Sequence, residues 1–156
     1  MVSGQYLLLG DVSCSSVGSC VAVGGDRVSG GSYQGVVETL SDGDWEPEAI
    51  PAVSSEKGVA MLNGVSCPAR GTCVAVGFFS SATAAFVPAI ETLSGGTWTA
   101  AKAPLPADAV TGSGQADATY LELAACPAAG NCLIVGSYPA ADGTQGLIET
   151  AVPGHG

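Results

Sequence analysis

Residues 65–77 read Val65-Ser66-Cys67-Pro68-Ala69-Arg70-Gly71-Thr72-Cys73-Val74-Ala75-Val76-Gly77: two cysteines enclosing five residues, then a short apolar run. The same arrangement lies upstream as Cys14 and Cys20 with Val21-Ala22-Val23-Gly24, and downstream as Cys126 and Cys132 with Leu133-Ile134-Val135-Gly136. A leucine precedes the first cysteine by five positions each time, at Leu9, Leu62 and Leu121. Further on stand Val37-Glu38-Thr39-Leu40, Ile90-Glu91-Thr92-Leu93 and Ile148-Glu149-Thr150-Ala151. The first two copies continue to Gly43-Asp44-Trp45 and Gly96-Thr97-Trp98. The chain is therefore three imperfect copies of one unit of about 55 residues.

Within the middle copy the pattern predicts four short strands. Leu62 to Cys67 is the first, followed by a turn with Pro68 and Gly71. Cys73 to Phe79 is an apolar run of the kind a strand buried on both faces carries. Ala89 to Leu93 is the third, and the Gly95-Gly96 turn leads into a fourth beginning near Trp98. No stretch of useful length has helical periodicity, so the expected class is all-β. The repeats divide a single domain, 1–156, into 5–57, 58–115 with its linker, and an incomplete 116–156. The linker after Trp98 is about six residues longer than the one after Trp45. Thr111 to Asp117 reads as the insertion, a surface loop.

Composition supports a folded chain: 156 residues, 47% hydrophobic and only 12% charged, with 23 Gly and 9 Pro. Disordered segments are poor in apolar residues and rich in charge, and abundant Gly and Pro favour short elements joined by tight turns. Four basic residues (Arg27, Lys57, Arg70, Lys102) face fourteen acidic ones, a formal charge of −10. Phosphate backbones are held by clustered Lys and Arg, so nucleic acid is excluded as a partner, and an anionic membrane surface is disfavoured likewise. No apolar run is long enough for a membrane-spanning helix. Met1 to Gly10 has no basic region and only a three-residue apolar core, so it does not read as a signal peptide.

Three identically spaced cysteine pairs favour structural disulfides, each tying a first strand to a second across a turn. Each bridge is expected to contribute on the order of 2 kcal/mol and places the protein in an oxidising compartment, extracellular or cell-envelope. Zinc sites show Cys-x2-Cys to Cys-x4-Cys spacing with further ligands, and redox pairs are typically Cys-x-x-Cys. The single histidine, His155, lies in the C-terminal tail. No metal or cofactor is expected.

A repeated four-stranded unit of this length is the pattern of a β-propeller blade. The run from Val65-Ser66-Cys67-Pro68 to Cys73-Val74-Ala75-Val76-Gly77, with Ile90-Glu91-Thr92-Leu93 and Gly96-Thr97-Trp98, resembles more specifically the cysteine-containing propeller repeats of bacterial secreted proteins. Their consensus is roughly V-S-C-P-x4-C-x-A-V-G, and the resemblance covers nearly the whole chain. The Gly-x-x-Trp turn is distantly similar to Kelch and Asp-box repeats. Members of this secreted family are generally of unknown function, so the resemblance implies a fold and little else. Rings have at least about four blades, and the third copy stops after Glu149-Thr150 without its Trp strand. Closure then falls to oligomerisation, six blades from a dimer being simplest, or to sequence outside this chain. A β-trefoil, threefold by nature, is the alternative fold.

Residues that recur in every repeat serve the repeat. Glu38, Glu91 and Glu149 are therefore expected to be structural, each carboxylate bonding a turn or neighbouring amide, although two carboxylates roughly 5 to 9.5 Å apart can hydrolyse glycosides. Trp45 and Trp98 are expected to pack between blades with the indole N–H bonded, rather than stack on sugars. The non-repeated aromatics are the binding candidates: Tyr33, Phe79 and Phe86, and Tyr138 with Asp142. Phe79 and Tyr138 share a register that Asp26 fills in the first copy. Asp42 and Asp44 suit a solvated hairpin tip better than a calcium site. No Ser-His-Asp or Cys-His set is available within the repeats, so no catalytic residue is assigned. Gly24-Gly25 and Gly30-Gly31 lack the strand-to-helix context of a phosphate loop. The expected function is a non-catalytic, lectin-like binding module for a glycan or a protein. An Asp-box-type glycosidase fragment and a purely structural homo-oligomerising unit are the alternatives.

Overall fold

A computed structural model of the chain describes residues 7–27, 33–48, 50–51, 59–79, 86–112 and 118–151. The stretch Met1 to Gly10, which does not read as a signal peptide, falls partly outside these residues, as does most of the Thr111–Asp117 insertion, and His155 lies outside them. Among the described residues, eleven strands form three antiparallel sheets and there is no helix. The first sheet is β1 (Leu7–Ser16), β2 (Ser19–Arg27), β3 (Tyr33–Ser41) and β4 (Asp44–Glu48), in that order. The second is β5 (Val59–Ala69), β6 (Thr72–Phe79), β7 (Val87–Ser94) and β8 (Thr97–Lys102). The third has three strands, β9 (Tyr120–Ala128), β10 (Asn131–Ala140) and β11 (Gly143–Ala151). Each sheet is one repeat, and no named strand pairs with a strand of another repeat among the described residues. A trefoil, whose barrel pairs strands between repeats, does not match that pairing.

Local chemistry explains the meander. The β3–β4 turn places Asp42 and Gly43 at φ 55° and 95°, and the β7–β8 turn places Gly95 and Gly96 at 57° and 81°. Two successive positive φ values make the two-residue turn whose twist matches antiparallel strands. The disulfides Cys14–Cys20, Cys67–Cys73 and Cys126–Cys132 span β1–β2, β5–β6 and β9–β10, and no cysteine is free. All three clasp their sheets at the same end.

A second irregularity recurs. The pairing of each first strand skips one residue: Gly10 in β1, Asn63 in β5 and Glu122 in β9. Across these bulges stand Gly24, Gly77 and Gly136, paired with Leu9, Leu62 and Leu121. At each glycine a Cβ would collide with the opposing backbone: the Leu8 carbonyl, the Met61 carbonyl and the Tyr120 carbonyl. The bulge draws the two backbones together, and only glycine fits.

The sheets lie face to face in chain order. β1, β2 and β3 pack on β5, and β5, β6 and β7 pack on β9. Side chains alternate across a strand, so each strand of the middle sheet serves two interfaces. Cys73 and Ala75 join Val21, Val23, Val37, Leu62, Leu93 and Trp98 in a core between the first and second sheets. Val74 and Val76 join Leu121, Cys132, Ile134 and Leu147 between the second and third. That is why the Cys73-to-Phe79 run is continuously apolar. Among the described residues, only the middle sheet has both faces covered by another sheet.

Candidate functional site

The sheets have direction. In the second sheet, Leu62, Val65, Ala75 and Trp98 face the first sheet and are buried. Their equivalents in the third, Leu121 and Ile134, face the second and are also buried. The opposite face carries Val21 and Val23 in the first sheet and Val74 and Val76 in the second, all packed against the sheet that follows. Each sheet thus has a front face toward its predecessor and a back face toward its successor.

The stack therefore ends in two open faces. On the front of the first sheet, Leu9, Val12 and Trp45 are 49%, 55% and 41% exposed. With Ala22 and Glu38 they wall a cavity of about 450 Å³. On the back of the third sheet, Leu133 and Val135, equivalent to Val74 and Val76, are 49% and 39% exposed. Ile148 and Leu123 beside them are 75% and 55% exposed. Contiguous exposed apolar residues on a folded protein mark an interaction site.

Polar side chains cross the closed junctions at matching positions. The Cys67 amide donates to Ser13 Oγ at 2.9 Å between the first two sheets, and the Cys126 amide donates to Ser66 Oγ at 2.9 Å between the next two. Ser13 and Ser66 are the residues immediately before Cys14 and Cys67, and Ala125 holds that place in the third repeat. Asp11 Oδ2 accepts from the Val65 amide at 2.9 Å, and Asn63 Nδ2 donates to the Leu121 carbonyl at 2.8 Å. Sequence reasoning missed these bonds. The serine in Val-Ser-Cys and its replacement in Ala124-Ala125-Cys126 were the available signal.

The repeated residues divide by sheet. The Trp98 indole donates to Glu48 Oε2 of the first sheet at 2.7 Å, whereas Trp45 lies on the open front face. Glu91, opposite Ala75 and Ala100, is fully buried between the first two sheets. Neither of its carboxylate oxygens has a hydrogen-bond partner among the described residues, so it does not make the amide bond expected of it. Burial raises its carboxyl from 4.5 to about 8, because removal from water penalises the charged form. Glu149, opposite Ile134, is also shifted upward by burial. Glu38, opposite Ala22, sits on the open face, its Oε1 without a hydrogen-bond partner among the described residues. A sheet intervenes between each glutamate and the next, so no two share a site.

The loop-end aromatics gather at the end opposite the disulfides. Tyr33 pairs with Arg27 there and is exposed. Phe86 is half-buried, its ring 4.4 Å from Phe78 and 6.2 Å from Tyr120. Phe79 is fully buried in the core between the first two sheets, out of reach of a ligand. Asp26, in the same register, is also buried. Tyr138 is half-buried and donates its hydroxyl hydrogen bond, 3.3 Å long, to Asp108. Partial burial, then the Asp108 carboxylate and Asp142, raise that hydroxyl above its usual range. Asp142 is exposed and accepts from Gln145 Nε2 at 3.1 Å. The linker upstream of the expected insertion is anchored to the third sheet: the Val110 amide donates to the Pro139 carbonyl at 2.8 Å, and Ala109 bridges Ala140. Asp42 and Asp44 lie exposed at their hairpin tip, and the described residues hold no cluster of three metal-ligating side chains.

No family model, curated protein or solved structure matches this chain.

Proposed function

We propose that the protein is a non-catalytic interaction module of an exported protein, its sheets being blades of a β-propeller, and that it recognises another protein surface. The carrying observation is the pair of open apolar faces, Leu9, Val12 and Trp45 at one end and Leu133, Val135 and Ile148 at the other. Their equivalents elsewhere in the chain are core residues. Burial of such side chains is favourable by about 1.5–3 kcal/mol each when complete. Extended apolar sheet faces suit a protein partner, whereas glycan sites need converging polar groups, which these faces largely lack.

Support for the blade reading comes from the four-strand meander and the face-to-face stacking in chain order. Support for export comes from three disulfides with no free cysteine, since such bridges persist in oxidising compartments. The test pairs two measurements on the intact chain. An apolar fluorescent dye is expected to bind the dilute protein and to lose signal in Leu133→Asp, and a neutral glycan array is expected to stay blank. A glycan retained by the chain and released by Trp45→Ala would replace this reading with carbohydrate recognition. Absence of dye binding from the dilute monomer would remove its basis.

A further inference from the structure

Resting on that reading, we infer that the occupant of the open front face is the back face of the third sheet of a second copy of this chain. The argument is continuity with the two junctions the chain already contains. At both, a back face built on two apolar β-strand residues (Val21 and Val23; Val74 and Val76) meets a front face built on the repeat leucine and its neighbours. The third sheet presents that back face again as Leu133 and Val135, with Ile148 at the position of Ile90. The first sheet presents that front face again as Leu9, Val12 and Trp45, at the positions of Leu62, Val65 and Trp98. The two halves of one junction thus stand open on one molecule, at opposite ends of the stack.

Such a head-to-tail contact is heterologous: it either propagates or closes. Two copies bring six sheets, two junctions and a twofold axis, within the range of about four to eight blades at which sheet rings close. One element is absent from the intermolecular junction. At both internal junctions a serine takes the Cys amide of the next sheet, and Ala125 stands where that serine would meet the partner's Cys14. The intermolecular junction is therefore weaker than the internal ones and reversible on dilution.

Sedimentation equilibrium and native mass spectrometry of the intact chain test this. The wild type is expected to form a species of twice the 15.2 kDa chain mass at micromolar concentration. Val12→Asp blocks the front face and Leu133→Asp the back face; both side chains are exposed, so each monomer keeps its fold. Each variant alone is expected to be monomeric, and their mixture to form a one-to-one heterodimer through the one junction left intact. Ala125→Ser, which leaves both faces apolar, is expected to tighten association about three- to tenfold per junction, the effect of one added hydrogen bond. A wild type that stays monomeric overturns the inference, and so does a Leu133→Asp variant that still dimerises. If the monomer nevertheless binds the apolar dye, the wider interaction reading survives and only self-docking is lost.

Discussion

The indole Nε1 of Trp98, in the second sheet, lies 2.7 Å from Glu48 Oε2, at the end of the edge strand β4 of the first. The bond joins two repeats at one edge of their sheets, while Ser13 and the Cys67 amide join the same repeats through the opposite edge strands β1 and β5. The first junction is held at both margins, with the apolar core between them.

Trp98→Phe keeps most of the buried ring and removes the donor. A hydrogen bond to a charged group contributes about 1.5–3 kcal/mol, and for a chain of this size each kcal/mol moves the melting midpoint by roughly 2–4 °C. The expected loss is therefore several degrees. A double-mutant cycle with Glu48→Ala, which removes the acceptor, checks it. Additivity of the two changes would show that the bond contributes nothing.

Glu91 makes stability depend on pH. The folded protein holds its proton up to about pH 8, whereas the unfolded chain releases it near the ordinary 4.5. The unfolded state binds fewer protons in that window, so the contribution is full below pH 4.5 and is lost as pH rises to about 8. Glu91→Gln preserves shape and abolishes ionisation. Urea unfolding is expected to show the variant matching the wild type near pH 5 and exceeding it at pH 8. A difference that stays constant with pH would show an ordinary carboxyl.

Gly77→Ala places a methyl group against the Met61 carbonyl and 2.8 Å from Leu62 Cα, both backbone atoms of a bulged strand. Neither can rotate aside. Overpacking of this kind costs about 1–3 kcal/mol or more, and the bulge is expected to rearrange. The open Gly18 turn, where nothing lies within 4 Å of a Cβ, provides the contrast: Gly18→Asn, tolerated at positive φ, is expected to fold normally. Equal stability of the Gly77 variant and wild type would remove the close-approach argument.

Asp108→Asn removes the carboxylate that accepts the Tyr138 hydroxyl bond. Ultraviolet titration is expected to show the Tyr138 ionisation moving down toward the ordinary tyrosine value, part of the upward displacement remaining because partial burial is its larger cause. An unchanged titration would mean that Asp108 does not hold the tyrosine, and with it would go the anchoring of the linker by this side chain.

Much of the architecture was legible in one dimension because it is local. The cysteine partners are six positions apart, the turns need glycine where φ is positive, and alternating apolar residues name the strands. That the third sheet of the described residues has three strands rather than four was legible too. The sites were less so. Phe79, singled out as a loop aromatic, is fully buried, while Trp45, set aside as packing, is open to solvent. Asp108, which bonds Tyr138, belongs to the linker after Trp98, whose length differs from that of the linker after Trp45, so no repeat register points to it.

The amino-acid order alone determined that there are three sheets, which strands make each of them and which cysteines close them, since those interactions connect neighbours along the chain. It did not determine what those sheets expose. Val74-Ala75-Val76 and Leu133-Ile134-Val135 carry the same pattern, yet Val74 and Val76 are buried whereas Leu133 and Val135 face solvent. Stacking position decided this. Apolar side chains leave water only where another sheet covers them, and at the third sheet the described chain supplies no successor.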